Sequence, residues 1–385
     1  MILGPGPSSA NPSVLRAMSQ PVIGYLDPAF FEILEEVELM LKEVFRTEQR
    51  AFAVAGAGSA GMEAGLVSLL ERGDRVIICN YGHFCDRQVL MCQRLGVEIT
   101  EVKSAWGKAM DPRLLEDALK QFPDARLVVA IHAETSAGTL QPIHRFSELA
   151  HAAGALFMTD VVTSLAGCEL EFDKWGVDYA YAGSQKCLAA PPGVSPVAIS
   201  ERALEYVRER RTLPGSWYLD LSLIADYWGP GHKPHHTNPV NMTYALREAL
   251  ALTLNEGLEN RWRRHARVAA ALRAGLEALG LESPVDPDAR LNQLTVISLP
   301  QGVDDVALRN QLFEEYNIEI GRGLGQFAGK VIRIGLMGES CVPANVLALL
   351  SALETLLPRH GFEVARGAGL AAAGQQLAKQ PAPVY

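Results

Sequence analysis

From residue 51 onward, short apolar runs alternate with stretches whose apolar positions recur at helical spacing. Residues 51–55 form the first run, and Met62, Leu66, Leu69 and Leu70 then fall at i, i+4, i+7 and i+8, one face of a helix. The alternation continues with strands predicted at 75–79, 97–102, 127–132 and 156–160, and helices predicted through Val89 and Leu95, at 114–119 and at 146–153. Strands read as near-continuous apolar runs when both faces of their sheet are covered, so the expected fold is α/β, a mostly parallel sheet between helices. After Pro239 the pattern turns helical from Met242 to about Leu279, broken at Gly257. A β-α-β-β-α order follows, with strands at 293–299, 318–321 and 331–336 and helices at 306–315 and 344–357, which predicts a smaller α+β domain. The expected division is an N-terminal segment at 1–20 that crosses toward the active site or a partner subunit, a large domain at 21–255 and a small C-terminal domain at 256–364. Residues 365–385, rich in Ala, Gly, Gln and Pro without a sustained apolar face, read as a flexible tail.

Composition narrows the class. The 385 residues are 48% hydrophobic and 21% charged, and the mean hydropathy is +0.07, which supplies a substantial core. The 35 Lys and Arg against 44 Asp and Glu leave a net charge of −9, which gives no general attraction to a polyanion. Neither nucleic acid nor a membrane is therefore expected as a partner. Apolar runs such as 127–131 fall far short of the roughly 20 residues of a membrane span, and no signal-peptide pattern opens the chain, so the expected location is cytoplasmic. Six cysteines without a Cys-x-x-Cys pair point to reduced thiols, with neither a disulfide framework nor a thiolate metal site.

In parallel sheets ligands sit beyond the carboxyl ends of the strands. The first strand runs into Gly56-Ala57-Gly58-Ser59-Ala60-Gly61, a literal Gly-x-Gly-x-x-Gly that opens a helix. A dinucleotide fold would need an acidic residue at the end of the next strand, which instead reads Ile78-Cys79-Asn80-Tyr81. What remains is a backbone cradle for a phosphate, beside the plainer alternative of a tight turn. Asp160 ends a strand, where a carboxylate either meets a ligand or caps the next helix. Lys186 lies in Gly183-Ser184-Gln185-Lys186-Cys187, with Leu188, Ala189 and Ala190 after it. A lysine among apolar neighbours has a lowered pKa and is the residue type that forms Schiff bases. A phosphate cradle, a strand-end carboxylate and such an amine are together what pyridoxal 5′-phosphate requires.

These residues belong to a longer series: Leu3-Gly4-Pro5-Gly6-Pro7-Ser8, His132-Ala133-Glu134-Thr135-Ser136, Asp160-Val161-Val162-Thr163, Gly183-Ser184-Gln185-Lys186, His235-His236-Thr237, Gly257-Leu258-Glu259-Asn260 and Val331-Ile332-Arg333-Ile334-Gly335. In these segments the chain resembles the class V, fold type I aminotransferases that depend on pyridoxal 5′-phosphate, and most of all the alanine–glyoxylate and serine–pyruvate or serine–glyoxylate members. The resemblance implies that Lys186 carries the cofactor as a Schiff base and moves the substrate proton, while Asp160 holds the ring nitrogen. It implies Gly58, Ser59 and Gln185 at the phosphate, Thr135 at the phenolic oxygen, and Phe84 and Val162 on the two ring faces. Thr237 would reach the phosphate of a neighbouring subunit, making a homodimer with shared active sites. The family often has a Tyr just before His-His-Thr; here that position is Pro234, with Tyr227 as one candidate replacement.

Arg333, on a predicted strand with Ile332 and Ile334 facing the other way, is the candidate for the substrate carboxylate, because a planar fork matches a carboxylate bidentately. Its plainer reading is a surface salt bridge. Gly6 and Tyr25 are expected to line the substrate pocket. The expected reaction is ping-pong transfer of an amino group from alanine or serine to glyoxylate or pyruvate. Ureidoglycine, hydroxykynurenine or an aminophosphonate are alternative donors, and a lyase or a non-catalytic homologue are alternative roles. The lyase branch would need His83 and Cys341 in catalytic parts, but Gln185 replaces the histidine which that branch places before its lysine. The basic run Arg261-Trp262-Arg263-Arg264-His265 is expected to be a solvated helix face. Adjacent His235 and His236 would point to opposite sides of an extended chain, which argues against a metal pair.

Overall fold

The computed structural model describes residues 1–379. The chain opens with β1 (Ile2–Leu3), α1 (Pro12–Met18) and α2 (Pro28–Phe45). The large domain continues through β2 (Arg50–Ala55), α3 (Gly58–Leu69), β3 (Arg75–Asn80), α4 (His83–Leu95), β4 (Glu98–Lys103), α5 (Pro112–Gln121) and β5 (Ala125–Ile131). A short hairpin of β6 (Ala133–Glu134) and β7 (Thr139–Leu140) precedes α6 (Ile143–Ala152), β8 (Leu156–Asp160), β9 (Tyr179–Tyr181) and β10 (Val194–Ile199). Helices α7 (Glu201–Arg208), α8 (Leu221–Trp228), α9 (Val240–Glu256) and α10 (Leu258–Ala278) lead to the small domain, which holds β11 (Leu294–Ser298), α11 (Asp305–Tyr316), β12 (Glu319–Arg322), β13 (Val331–Gly335) and α12 (Pro343–Leu356). Helix α13 (Ala368–Lys379) ends the described chain.

The large sheet has seven strands in the order β2-β10-β9-β8-β5-β3-β4. Pairs β3–β4, β3–β5, β5–β8 and β8–β9 are parallel, and β10 runs antiparallel to both of its neighbours. The mostly parallel α/β expectation is met. Every residue of β8 is buried, as expected of a strand covered on both faces, whereas edge strand β4 buries only Val102. Helix α2 starts at Asp27, whose side chain accepts from Ala29 N–H, and Pro28 occupies its first turn. Its Phe30, Leu34, Val37, Leu41, Val44 and Phe45 enter the large core.

The second sheet, β1-β12-β13-β11, belongs to the small domain. The N-terminal strand lies parallel to β12, and Leu3 enters the small core, so the first residues tie the chain's beginning to its C-terminal part. Where a flexible tail was expected from Ala365, the structure forms α13, packed on α10 and α12. The contact depends on small residues: Gly275 of α10 lies against the Gly369 carbonyl, and Gly369 and Ala373 are buried. Glu354 accepts hydrogen bonds from the N–H groups of Gly367 and Gly369, at 2.7 and 3.1 Å. Leu370 and Leu377 also pack on the small core, but two leucines among glycines and alanines are a sparse apolar stripe to read. The last six residues of the expected tail lie outside the described chain.

Candidate active site

A cavity opens at the carboxyl ends of β2, β5 and β8, where a parallel sheet binds its ligands. Gly58 begins α3 at its rim, and no side chain caps that helix. The helix N-terminus is thus left to favour an anion. A Cβ on Gly58 would fall 2.9 Å from a Val162 methyl, so only glycine lets the helix approach this closely. Ser59, Val162 and Gln185 line the same cavity. Gln185 Oε1 is buried without a hydrogen bond, and because the two ends of an amide are interchangeable, this side chain presents either a donor or an acceptor inward.

Asp160, the last residue of β8, is 5% exposed and accepts from Val162 N–H at 2.8 Å. Burial pushes its carboxyl up to about 6, against the pull of that N–H, the Tyr181 hydroxyl and the Lys186 charge. Lys186 lies beside it on the turn after β9. Its Nζ donates to the Pro5 carbonyl, and burial lowers its pKa to about 8. Gly6, at φ +115°, lies against that amine; a Cβ there would fall 2.3 Å from Nζ. Ser8 completes the strap, with its N–H on the Gln185 carbonyl and its hydroxyl on the Lys186 carbonyl, both at 2.8 Å.

Arg333 on β13 is 4% exposed. Its Nε donates to the Arg322 carbonyl at 2.7 Å and Nη1 to the Thr135 carbonyl at 3.2 Å, which fixes the plane of the fork. No carboxylate among the described residues lies within ion-pair distance of it, so the surface salt-bridge reading is overturned. Burial lowers its pKa to about 10, and Glu134 opposes that effect.

Two contributors, Arg87 and Glu134, had no role assigned from sequence, and a third, Pro5, lies in the segment expected to line the substrate pocket, without its carbonyl being singled out. Arg87, one turn beyond Phe84 on α4, lines the cavity, lies 4.9 Å from the centre of the Phe84 ring and reaches Ser59 Oγ at 3.4 Å. The i, i+3 spacing from Phe84 is the signal that marks it. Glu134 is buried beneath the start of α4: Oε1 accepts from Ser136 N–H at 2.8 Å, Oε2 from Phe84 N–H at 3.2 Å. Pro5 contributes only a carbonyl, which no residue type announces.

Four expected residues are not part of the cavity wall. Arg333 and Gly6 only adjoin it, Arg333 through the Thr135 carbonyl and Gly6 against Lys186 Nζ. Tyr25 and Thr237 are absent from the cavity wall of their own chain, and Thr237 is exposed. Tyr227 is buried with its hydroxyl on the Tyr25 carbonyl at 2.9 Å, so that hydroxyl is already committed. His235 and His236 do not point apart: their Nδ1 atoms are 2.8 Å from each other, because this stretch is a loop packed under Trp217 and Tyr218 rather than an extended strand. The basic run is only partly solvated, with Arg263 exposed. Arg261 is 2% exposed and His265 fully buried, with Glu256 supplying the counter-charge.

An N-terminally cradled anion site, a buried carboxylate, an amine of lowered pKa and a guanidinium without a counter-ion fit pyridoxal phosphate and an amino acid together. Comparison with known proteins agrees. The family profile "Aminotransferase class-V" matches residues 23–337. The (S)-ureidoglycine–glyoxylate transaminase of Bacillus subtilis is 38% identical over 393 residues, covering 97% of this chain and 94% of that protein, and its crystal structure superposes with a TM-score of 0.96. The alanine–glyoxylate aminotransferase of Felis catus is 37% identical over 93% of this chain and 88% of its own length. The crystal structure of the alanine–glyoxylate aminotransferase from Nostoc sp. is 44% identical, covers 92% of this chain and 94% of that one, and gives a TM-score of 0.91. The chain belongs to the class V aminotransferases, fold type I enzymes that work with pyridoxal 5′-phosphate.

Proposed function

We propose that this aminotransferase moves the amino group of a small amino acid, alanine or serine, to glyoxylate or pyruvate. The observation that carries the reading is Arg333, a buried guanidinium held in plane by two carbonyls and short of a carboxylate, one of those carbonyls belonging to Thr135 of the cavity wall. It binds the α-carboxylate common to both half-reactions. The bound cofactor supplies an aldehyde for amines and a ring that draws electrons from the substrate α-carbon. Lys186 holds it, then takes and returns the α-proton. Asp160 keeps the ring nitrogen protonated. Gly58, Ser59 and Gln185 bind the phosphate, Thr135 the phenolic oxygen, and Phe84 and Val162 pack the ring faces. Gly6 closes the substrate side.

Thr237 serves the partner's phosphate in a homodimer, and Tyr25 faces the pocket from the same interface. Exposed Leu213 and Trp217, at 90% and 62%, lie on the loop that packs against His235, an apolar surface that a second subunit would cover. Six free thiols support a reducing compartment, the cytoplasm. No helix among the described residues is long and apolar enough to cross a membrane.

A second reading, ureidoglycine as donor, is favoured by the Bacillus subtilis relative. A half-reaction panel separates the two: amino acids are scored by how fast they bleach the yellow enzyme, and oxo acids by how fast they restore it. Alanine or serine with glyoxylate should lead, and Arg333→Ala should raise the amino-acid KM about 100-fold while the protein stays yellow. Faster bleaching by ureidoglycine installs the second reading. A wild type that no amino acid bleaches refutes both.

A further inference from the structure

At the junction of α9 and α10, Gly257 takes φ +80° and turns the chain so that Glu256 faces the first turns of α10. Glu256 Oε2 accepts from Arg261 Nη1 at 2.6 Å and from Arg264 Nη2 at 2.9 Å, and Oε1 accepts from Arg264 Nε at 2.6 Å. Arg261 Nη2 donates to the carbonyl of Cys187, the residue after Lys186. Arg264 Nη1 donates to the carbonyls of Gly338 and Cys341 at 2.8 and 2.9 Å, and His265 Nε2 accepts from Gly338 N–H at 3.1 Å. Gly338, just past the strand that bears Arg333, packs under the lysine turn: a Cβ there would meet Ala189 Cβ at 2.7 Å and the Lys186 carbonyl at 3.3 Å. One buried ion cluster therefore grips both the turn of Lys186 and the turn that follows Arg333.

We propose that Arg261 is a positioning residue that sets Lys186 at a fixed distance and angle from Arg333. A buried ion cluster is a weak stabiliser, since desolvation offsets most of its attraction, and its best-attested use is to specify one geometry. A planar fork bonded to a carboxylate on one side and a carbonyl on the other keeps no rotational freedom, so the Cys187 carbonyl, and Lys186 with it, is held in place. Lys186 must reach the hydrogen on the carbon whose carboxylate Arg333 holds. An error in their separation therefore falls on proton transfer rather than on binding. The inference rests on Lys186 being the cofactor lysine, as proposed above.

The test uses full-length, cofactor-loaded Arg261→Lys and Arg261→Met. Lysine keeps the charge against Glu256 but cannot reproduce the fork. Both variants should stay yellow, with the amino-donor KM within about twofold of wild type. The kcat should fall about 10-fold in Arg261→Lys and about 100-fold in Arg261→Met, and the isotope effect for donor deuterated at the α-carbon should increase. An unchanged kcat and isotope effect in both variants overturns the proposal. So does a proportional loss of kcat and folded fraction, or the failure of both variants to fold, either of which makes Arg261 a folding residue only. Lys186→Ala is the control: if it stays yellow, the reading of Lys186 fails, whereas a colourless Lys186→Ala beside normal Arg261 variants sinks the clamp alone.

Discussion

Lys186 is the residue at which burial becomes chemistry. Its ordinary pKa of 10.5 falls to about 8 because the protonated form is denied water. Only the neutral amine attacks an aldehyde, so cofactor-free protein mixed with pyridoxal phosphate should turn yellow at a rate that rises with pH through about 8 and then levels. Stopped-flow absorbance across pH checks this, and a midpoint near 10.5 would show the amine to be solvated. The lysine, Asp160 and Gly58 were legible in the sequence because their chemistry tolerates one residue type at one place along a strand or turn. Arg333 was legible as a fork on a strand, but its lack of a carboxylate partner was not, since that depends on what folds around it. Arg87 and the Pro5 carbonyl were hidden for the same reason.

At the scale of elements, the start of α4 shows what the motif Glu134-Thr135-Ser136 does. Glu134 accepts from Phe84 N–H, and Ser136 Oγ accepts from His83 N–H at 2.8 Å, so a hairpin side chain and its neighbour cap the helix that presents Phe84. Burial pushes Glu134 up from 4.5 to about 7. Between those values the folded protein holds a proton that the unfolded chain has released, so this group makes stability fall as pH rises from about 4.5 to about 7. Glu134→Gln should remove that fall, up to about 3 kcal/mol at about 1.4 kcal/mol per pH unit, in urea melts of the cofactor-free protein. A slope left unchanged assigns it to other groups. Most elements were readable because parallel strands buried on both faces are continuous apolar runs. The reversed direction of β10 was not, because Val194–Ile199 reads the same either way along the sheet. Two-residue β1 is too short to carry a period, and α13 packs through small residues and only two leucines.

The role proposed for Thr237 belongs to the scale of the whole molecule. It lies on the surface of its own chain, outside the cavity. If it completes the partner's site, Thr237→Ala homodimers should bind pyridoxal phosphate about 10-fold more weakly. Hybrids of Lys186→Ala and Thr237→Ala subunits should then retain one site of wild-type affinity, measured by cofactor titration. A hybrid no tighter than the Thr237→Ala homodimer would place Thr237 outside any shared site. The sequence by itself determined the α/β class, the two cores and the lysine–aspartate–glycine set, because periodicity and reactive residue types are properties of single segments. Only the tertiary structure decided that the first strand joins the last domain, that the basic run at Arg261 is buried against Glu256, and that Arg333 waits without a counter-ion. Each of these depends on which distant groups share a low-dielectric space, and a charge is solvated or buried according to those neighbours rather than its own segment.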